Sequence, residues 1–563
     1  MNLAFNDVFT EISALLFLAA LFGAVGLRLK QPLIVSFIAL GIFVGPSGIE
    51  MVSADSQIDL LAKLGISLLL FVVGLKLDMH IIRTMGSVAL ATGLGQVLFT
   101  SVFGFLIATA LGMNAVGAVY VAVALTFSST IIIVKLLSDK REIDALHGRI
   151  ALGFLIVQDI VVVLVMIALT ALGQEGDTSS LQQQALTIFI NGSGLLVAIF
   201  VLMRYILPTV LRLLAKSQEL LLLFAIAWAV SLATIGVMLG FSKEVGAFLA
   251  GISIASSPYK DVISARMVGL RDFLLLFFFI DLGAQMDLTL IGEQLAPALI
   301  FSLFVLIGNP LIVMIIMGFL GYRKRTGFLA GLTVAQISEF SLILAALGVQ
   351  LGHISPQILG TITLVGVITI SISTYMIIYS HQLYEKLAPW LTIFERNTPH
   401  REQQDSSVAM DSSTDVILIG LGRFGTGIVE ILRANNYQVQ GVDFNPDLVN
   451  KGDSTGHPVH YGDAEDPEFI ALLPLSQVKW VVSTVDDTHV NLALLHGLRD
   501  QNFQGKIAVT AHSNSIANKL KQAGADLVLI PYADASQGAA AQILGMPFEL
   551  VSSTVTFKAI RNK

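Results

Sequence analysis

Gln158 and Asp159 stand side by side in an apolar run from Ile150 to Gly173 that carries no other charge. A carboxylate at the centre of a membrane-spanning helix costs roughly 2.5–3.5 kcal/mol even on lenient insertion scales, so a functional role is its default reading. Asp159 can lose a proton and then hold a dehydrated cation. Away from water a carboxyl gives up its proton less readily, which lets protons and alkali ions compete for one group. Exposed in turn to the two sides of a membrane, that group suffices for cation–proton exchange. Gln158 offers a carbonyl acceptor and an amide donor but cannot titrate, so it either ligates the ion or orients Asp159. The bland alternative for Asp159 is a structural ion pair, for instance with Lys63.

Two polar clusters interrupt other apolar runs: Thr126, Ser128, Ser129 and Thr130 in TFSST, and Gln336, Ser338 and Glu339 in QISEF. Hydroxyls take up backbone groups left unpaired where a membrane helix breaks, and they replace part of a cation's hydration shell. Their alternative use is to bond back to their own helix turn. Asp281 (FFFIDLGAQ) is a second acid within an apolar run, late in its span and a candidate for a watery vestibule.

These residues need a frame to hold them, and the composition says which. The chain has 563 residues, 55% hydrophobic and 13% charged, against about 25% charged in soluble domains. Most of it is therefore expected in lipid. Thirteen apolar segments recur before residue 395, and the remainder has the composition of an ordinary soluble domain. This divides the chain into a membrane exchanger domain at 1–385, a linker at 386–414 and a second domain at 415–563. The net charge of −7 argues against a nucleic-acid partner, and the absence of cysteine excludes disulfides and thiolate sites. Basic residues gather in alternate loops (Arg28/Lys30, Lys135/Lys140/Arg141/Arg149, Arg323/Lys324/Arg325), and acids in the intervening ones. That asymmetry predicts an outside N-terminus and a cytoplasmic C-terminal domain.

The membrane part repeats itself. GLKLD (Gly74–Asp78) recurs as GAQMD (Gly283–Asp287), Gly41-Ile42 as Gly251-Ile252, and TFSST as QISEF, each at an offset of 209 or 210. The copies lie seven spans apart, an odd number, so equivalent helices cross the membrane in opposite directions. Inverted repeats with discontinuous helices at the midplane are a transporter architecture.

After residue 414 an apolar strand (VILI) leads into Gly420-x-Gly422-x-x-Gly425 and a helical pattern, with Asp443 ending the second strand. In that setting the motif is the dinucleotide fingerprint: the glycines admit a pyrophosphate to the helix N-terminus and the acid bonds ribose hydroxyls. Arg423 adds charge near the phosphates. The expected ligand is an adenine nucleotide, NAD(H), AMP or ATP, with Asp443 disfavouring a 2′-phosphate. The segments PVHYGDA, VKWVVST, KIAVTAH and LVLIP supply four further strands. His457, His460, His489, His496 and His512 are scattered, which favours a regulatory domain over an enzyme.

Taken together, the Gln-Asp pair, FSST, LFVVGLKLD, FFFIDLGAQMD and AQISEF resemble the Kef-like branch of the monovalent cation:proton antiporter-2 family over nearly the whole chain. The resemblance implies an α-helical polytopic membrane protein with a sodium/proton-antiporter fold, plus an α/β Rossmann-like cytoplasmic domain. It further implies a homodimer in a bacterial inner membrane, with K+ and H+ alternating at Asp159 and a glutamine at position 158 pointing to potassium. A Na+/H+ exchanger and a ligand-gated K+ channel-like efflux system remain alternatives. Where related exchangers carry a lysine this chain has Gly308-Asn309-Pro310, which fits electroneutral turnover. The acidic loop of glutathione-gated relatives is replaced by the stretch Asp261–Gly269. The second domain resembles the N-lobe of the regulator-of-potassium-conductance fold, which implies Phe424, Asp463, Ala464 and Thr484 as further nucleotide-lining residues and admits a soluble ancillary regulator as partner.

Overall fold

The computed structural model describes residues 8–544 apart from 47, 50–54, 77–78, 141, 144, 173–193, 196, 240, 287–290, 397–413, 444–458, 463, 465–468 and 471–472. Contacts divide it into two compact units: one reaches Arg396 and the other begins at Asn397, taking in the short stretch Asp144–Leu146.

The first unit is all helix. Its first half comprises α1 (Val8–Arg28), α2 (Leu33–Val44), α3 (Asp55–Lys76), α4 (Met79–Ala110), α5 (Ala115–Ala124), α6 (Thr130–Asp139) and α7 (Leu146–Leu172). A π-helical turn (Leu202–Ile206) and α8 (Leu207–Leu214) lead to the second half. That half holds α9 (Gln218–Met238), α10 (Lys243–Ala255), α11 (Lys260–Ala284), α12 (Ile291–Leu303), α13 (Asn309–Phe319), α14 (Lys324–Leu332), α15 (Glu339–Gln350) and α16 (Pro356–Ile378). A further helix, α17 (Ser380–Leu391), runs on past residue 385. Among the described residues eight helices are long and apolar enough to cross a membrane; α2, α5 and α15 are apolar but shorter. Several starts carry side-chain caps: Asn114 accepts from Gly117 N, Ser217 from Leu220 N and Ser242 from Val245 N. Each satisfies a donor that the helix itself leaves open.

The internal repeat extends to whole elements. α1, α2, α3, α5, α6 and α7 correspond in position and order to α9, α10, α11, α14, α15 and α16, while α4 corresponds to α12, an intervening π turn (Phe304–Gly308) and α13. The helix crossings obey the same relation. A Cβ on Gly41 of α2 would lie 2.1 Å from Ile280 O, beside Gly283 of α11. A Cβ on Gly251 of α10 would lie 2.1 Å from Phe71 O, beside Gly74 of α3. The two crossings are one arrangement repeated: Gly41 meets Gly283, and their counterparts Gly251 and Gly74 meet in turn. Only glycine permits backbones this close, the usual device where lipid removes the hydrophobic drive between helices. Asp78 and Asp287, which end the repeated GLKLD and GAQMD segments, lie outside the described residues.

The second unit is a six-stranded parallel sheet in the order β3-β2-β1-β4-β5-β6. The strands are β1 (Val416–Ile419), β2 (Val439–Asp443), β3 (Val459–Tyr461), β4 (Trp480–Ser483), β5 (Lys506–Thr510) and β6 (Leu527–Leu529). Four helices are described: α18 (Arg423–Ala434), α19 (Thr488–Asp500), α20 (Asn514–Gln522) and α21 (Pro531–Leu544). β1 is buried throughout, as a strand covered on both faces must be. All six strands fall on the segments expected from sequence. The order reverses between β1 and β4, which opens a crevice at the carboxyl ends of the strands.

Candidate functional site

Both polar clusters are helix breaks. α5 ends at Ala124 and α6 starts at Thr130; α14 ends at Leu332 and α15 starts at Glu339. Breaking a helix inside an apolar body exposes backbone donors and acceptors that must find partners there. Ser129 caps α6 by accepting from Ile132 N, and Ser338 caps α15 by accepting from Phe340 N. Thr126 Oγ1 donates back to Ala122 O at 2.9 Å. All three hydroxyls thus bond backbone groups at the breaks.

Asp159 and Gln158, adjacent on α7, serve different partners. Asp159 Oδ2 accepts from Thr130 Oγ1 at 3.0 Å, and the residue is partly buried. Glu339 lies within electrostatic range of it. Gln158 is fully buried; its Oε1 accepts from Ser128 N at 3.0 Å and its Nε2 donates to Gln96 Oε1 at 2.7 Å. Lys63 bonds Asp59 one turn earlier in α3, so the ion pair between Lys63 and Asp159 entertained from sequence does not form. Asp281 accepts from Gln285 Nε2 at 2.7 Å near the end of α11, apart from the breaks in sequence.

The second break is served from α16. Thr369 Oγ1 accepts from Ile337 N at 3.3 Å, and Ser373 Oγ donates to Gln336 Oε1 at 2.9 Å. Gln336 Nε2 and Ser341 Oγ are buried without a hydrogen-bond partner among the described residues. Ser338 Oγ donates weakly to Glu339 Oε2 at 3.4 Å, and Glu339 is 2% exposed. The breaks approach one another: Ser128 Oγ donates to Val334 O at 3.5 Å, and Asn309 Nδ2 donates to both Leu125 O and Val334 O, at 3.4 and 3.3 Å. The sequence reading missed Asn309 as a link between breaks, along with Gln96 and Thr100. The available signal was a pair of polar residues one turn apart, Gln96 and Thr100, in the uncharged span 88–110.

Outside the spans, the loop between α6 and α7 holds a charged cluster. Glu142 Oε1 meets Lys140 Nζ at 2.8 Å and His381 Nε2 at 2.7 Å, while Oε2 meets His147 Nε2 at 3.2 Å. Lys140 also donates to Ser380 Oγ at 2.7 Å. Burial opposes ionisation of Glu142, but the hydrogen bonds from His147 and His381 and the Lys140 charge outweigh it and hold the carboxyl well below its ordinary range. The cluster joins α6, the start of α7 and α17.

In the second unit the nucleotide fingerprint is assembled at the strand ends. Gly420 has φ +91°, a conformation glycine adopts at little cost. A Cβ on Gly425 would lie 1.9 Å from Gly420 O, whereas one on Gly422 would meet nothing within 4 Å. Gly425 thus serves helix–strand packing, and Gly422 leaves room at the N-terminus of α18 for an anion. Asp443 Oδ2 accepts from Leu421 N at 2.5 Å. Thr484, just after β4, donates to Gly420 O at 2.5 Å. Arg423 and Phe424 are exposed on the first turn of α18, and Ala464 is buried after β3. Asp463 lies outside the described residues. His512 pairs with Asp486 at 3.4 Å and His460 is buried on β3.

The chain matches the sodium/hydrogen exchanger transmembrane family over residues 14–378 and the TrkA-N domain family over residues 416–531. YbaL of Escherichia coli is 26% identical over 534 residues, covering 93% of this chain and 95% of that protein. The glutathione-regulated potassium-efflux system protein KefC of Escherichia coli is 24% identical over 525 residues, covering 92% and 82%. Among solved structures, the sodium proton antiporter MjNhaP1 of Methanocaldococcus jannaschii is similar at 17% identity and a TM-score of 0.46, over 69% of this chain and 98% of that one. A broken-helix membrane unit built from repeats, followed by a TrkA-N unit, makes the protein a transporter and not an enzyme: it belongs to the sodium/hydrogen exchanger family, in the monovalent cation:proton antiporter-2 branch that holds the Kef potassium-efflux systems.

Proposed function

We propose that the protein exports K+ in exchange for inward H+, electroneutrally, across a bacterial inner membrane, with its C-terminal domain in the cytoplasm and its N-terminus outside. One observation carries the reading: at the meeting of two helix breaks, Asp159 presents a partly buried carboxylate that, among the described residues, accepts from one hydroxyl, Thr130 Oγ1. A carboxylate with one fixed donor keeps lone pairs that can hold either a proton or a partly dehydrated cation. Thr130, and the backbone and side-chain oxygens of Thr126, Ser128, Ser129, Gln336 and Ser338, supply the polar surroundings, with Glu339 a second acid close by. One titrating group per cycle gives one proton against one monovalent ion. Potassium is favoured by the glutamine at position 158 and by the potassium-efflux name of KefC. The alternating basic loops support the orientation, and a homodimer follows from the family likeness.

The C-terminal domain regulates this exchange by binding an adenine nucleotide. The room at Gly422, the α18 N-terminus, Arg423 and the acid at the end of β2 support that reading. Proteoliposomes with an internal pH dye and clamped membrane potential test both halves. K+ is expected to dissipate an imposed ΔpH, and Na+ to do so less well. A preference for Na+ would make the protein a sodium exchanger, and current without proton movement would make it a channel. NADH, NAD+, AMP or ATP is expected to change the rate, and Gly422→Leu to remove that change while sparing transport. Indifference of both rate and thermal stability to all four nucleotides would refute the regulatory half.

A further inference from the structure

Gln158, Gln96, Thr100 and Asn309 form one continuous chain of hydrogen bonds, and its polarity is fixed by a single backbone group. Ser128 N can only donate, so Gln158 must turn its Oε1 toward it. That places Gln158 Nε2 against Gln96 Oε1 at 2.7 Å. Gln96 Nε2 is then directed to Thr126 O and Thr100 Oγ1, both at 3.1 Å. Having accepted there, Thr100 donates its hydroxyl proton to Asn309 Oδ1 at 2.7 Å. Asn309 Nδ2 is left to face the carbonyls of Leu125 and Val334, one from each break. Flipping any one amide would set donor against donor or acceptor against acceptor along the whole chain. All four side chains are fully buried, where an unmatched polar group carries its whole desolvation penalty, so the arrangement is strongly specified. Thr100 and Asn309 are separated by 209 residues, the repeat spacing. Each is therefore the other's counterpart, and their bond lies on the axis that relates the two halves.

Resting on the exchange reading above, we propose that Gln96 and Thr100 are positioning residues of that reaction: through them Gln158 and Asn309 become an uncharged brace that holds the two helix breaks in register. Gln158 then acts on ion choice by position and not by ligation. Its side chain is fully buried and its carbonyl accepts from Ser128 N, and the brace sets the distance between the Asp159–Thr130 pair and the broken backbone. The helix ends at the crossing are matched by neutral amides, so the carboxylate at Asp159 carries the only charge exchanged.

The test uses the full-length protein in proteoliposomes, reading the KM for K+, the maximal rate and the K+/Na+ preference. Gln96→Met keeps the length of the side chain without its amide. The expected result is a KM raised about tenfold or more with a maximal rate within about threefold, together with a flattened K+/Na+ preference. In a Gln158→Met background the same substitution is expected to add little, since coupled residues are non-additive. Equal effects of Gln96→Met in both backgrounds, or an unchanged KM and preference, would overturn the proposal. If Gln96→Met does not accumulate, Thr100→Val against Thr100→Ser decides: the valine is expected to reproduce the KM shift and the serine to restore it, and two equal variants would overturn the brace. Asp159→Asn run alongside separates the levels. Its retention of exchange would refute the exchange reading itself, whereas its loss combined with an inert Gln96→Met refutes the brace alone.

Discussion

The two helix breaks are built to one plan and used differently. In both, a serine caps the downstream helix, and a side chain from the helix beyond that one accepts a backbone N–H: Gln158 of α7 from Ser128 in the first, Thr369 of α16 from Ile337 in the second. Thr369 thus does at the second break what Gln158 does at the first. Asp159 adds a carboxylate at the first break, bonded to Thr130, whereas Thr369 also bonds back to Val365 O at the second. A site with two free carboxylates in symmetric positions would accumulate repulsion in the low-dielectric interior. Glu339 is the partial exception, an acid at the second break that sits on the cap residue side and not at the position of Asp159.

The comparison can be broken at its frame first. Replacing Gly251 or Gly41 with leucine drives a side chain into the backbone of the facing helix, so neither variant is expected to yield folded protein, measured by monodispersity on gel filtration after extraction. Normal recovery of Gly251→Leu would mean that the paired glycine crossings are not what joins the repeats. At the first break, Thr130→Val removes the hydroxyl held by Asp159. A hydrogen bond to a charged group is worth about 1.5–3 kcal/mol, so K+-driven ΔpH dissipation should slow about tenfold, with Thr130→Ser near the parent. At the second break, Thr369→Val should cost about threefold or less, because a neutral bond of about 1 kcal/mol is lost there. Similar losses at the two positions would erase the distinction between working and supporting halves.

The smallest expected effect lies in the loop cluster. Glu142→Gln removes the charge that Lys140, His147 and His381 surround, and should lower the melting temperature by about 2–4 °C at neutral pH. The sign follows from the depressed carboxyl: its contribution is present above the unfolded value of about 4.3 and fades as pH falls toward the lower folded one. The gap between the parent and Glu142→Gln should therefore hold from about pH 7 to about pH 5 and close in stronger acid. A gap that does not narrow below about pH 3 would contradict that assignment.

Much of this was written in local patterns. Apolar runs with polar interruptions mark the breaks because hydroxyls and acids are costly in lipid, and the strand–glycine–helix motif with Asp443 marks the nucleotide crevice because few residue types fit that turn. The individual duties were less visible. Gln158 and Asp159 are neighbours in the chain, yet they point to different partners because adjacent residues on a helix diverge by about 100°. Lys63 looked available until its own helix supplied Asp59 one turn away. The brace was hidden because its members sit in three separate apolar helices, α4, α7 and α13, and hydrogen bonds between helices leave no periodic trace in sequence.

The central claim is that Asp159 alone carries what is exchanged. Asp159→Asn keeps size and shape while removing the charge, so the direct measurement is K+-driven ΔpH dissipation by that variant in sealed proteoliposomes at clamped potential, with its fold checked by melting temperature. The account predicts a folded protein with no exchange above empty vesicles. A folded variant that still trades K+ for protons at the parental rate would contradict it.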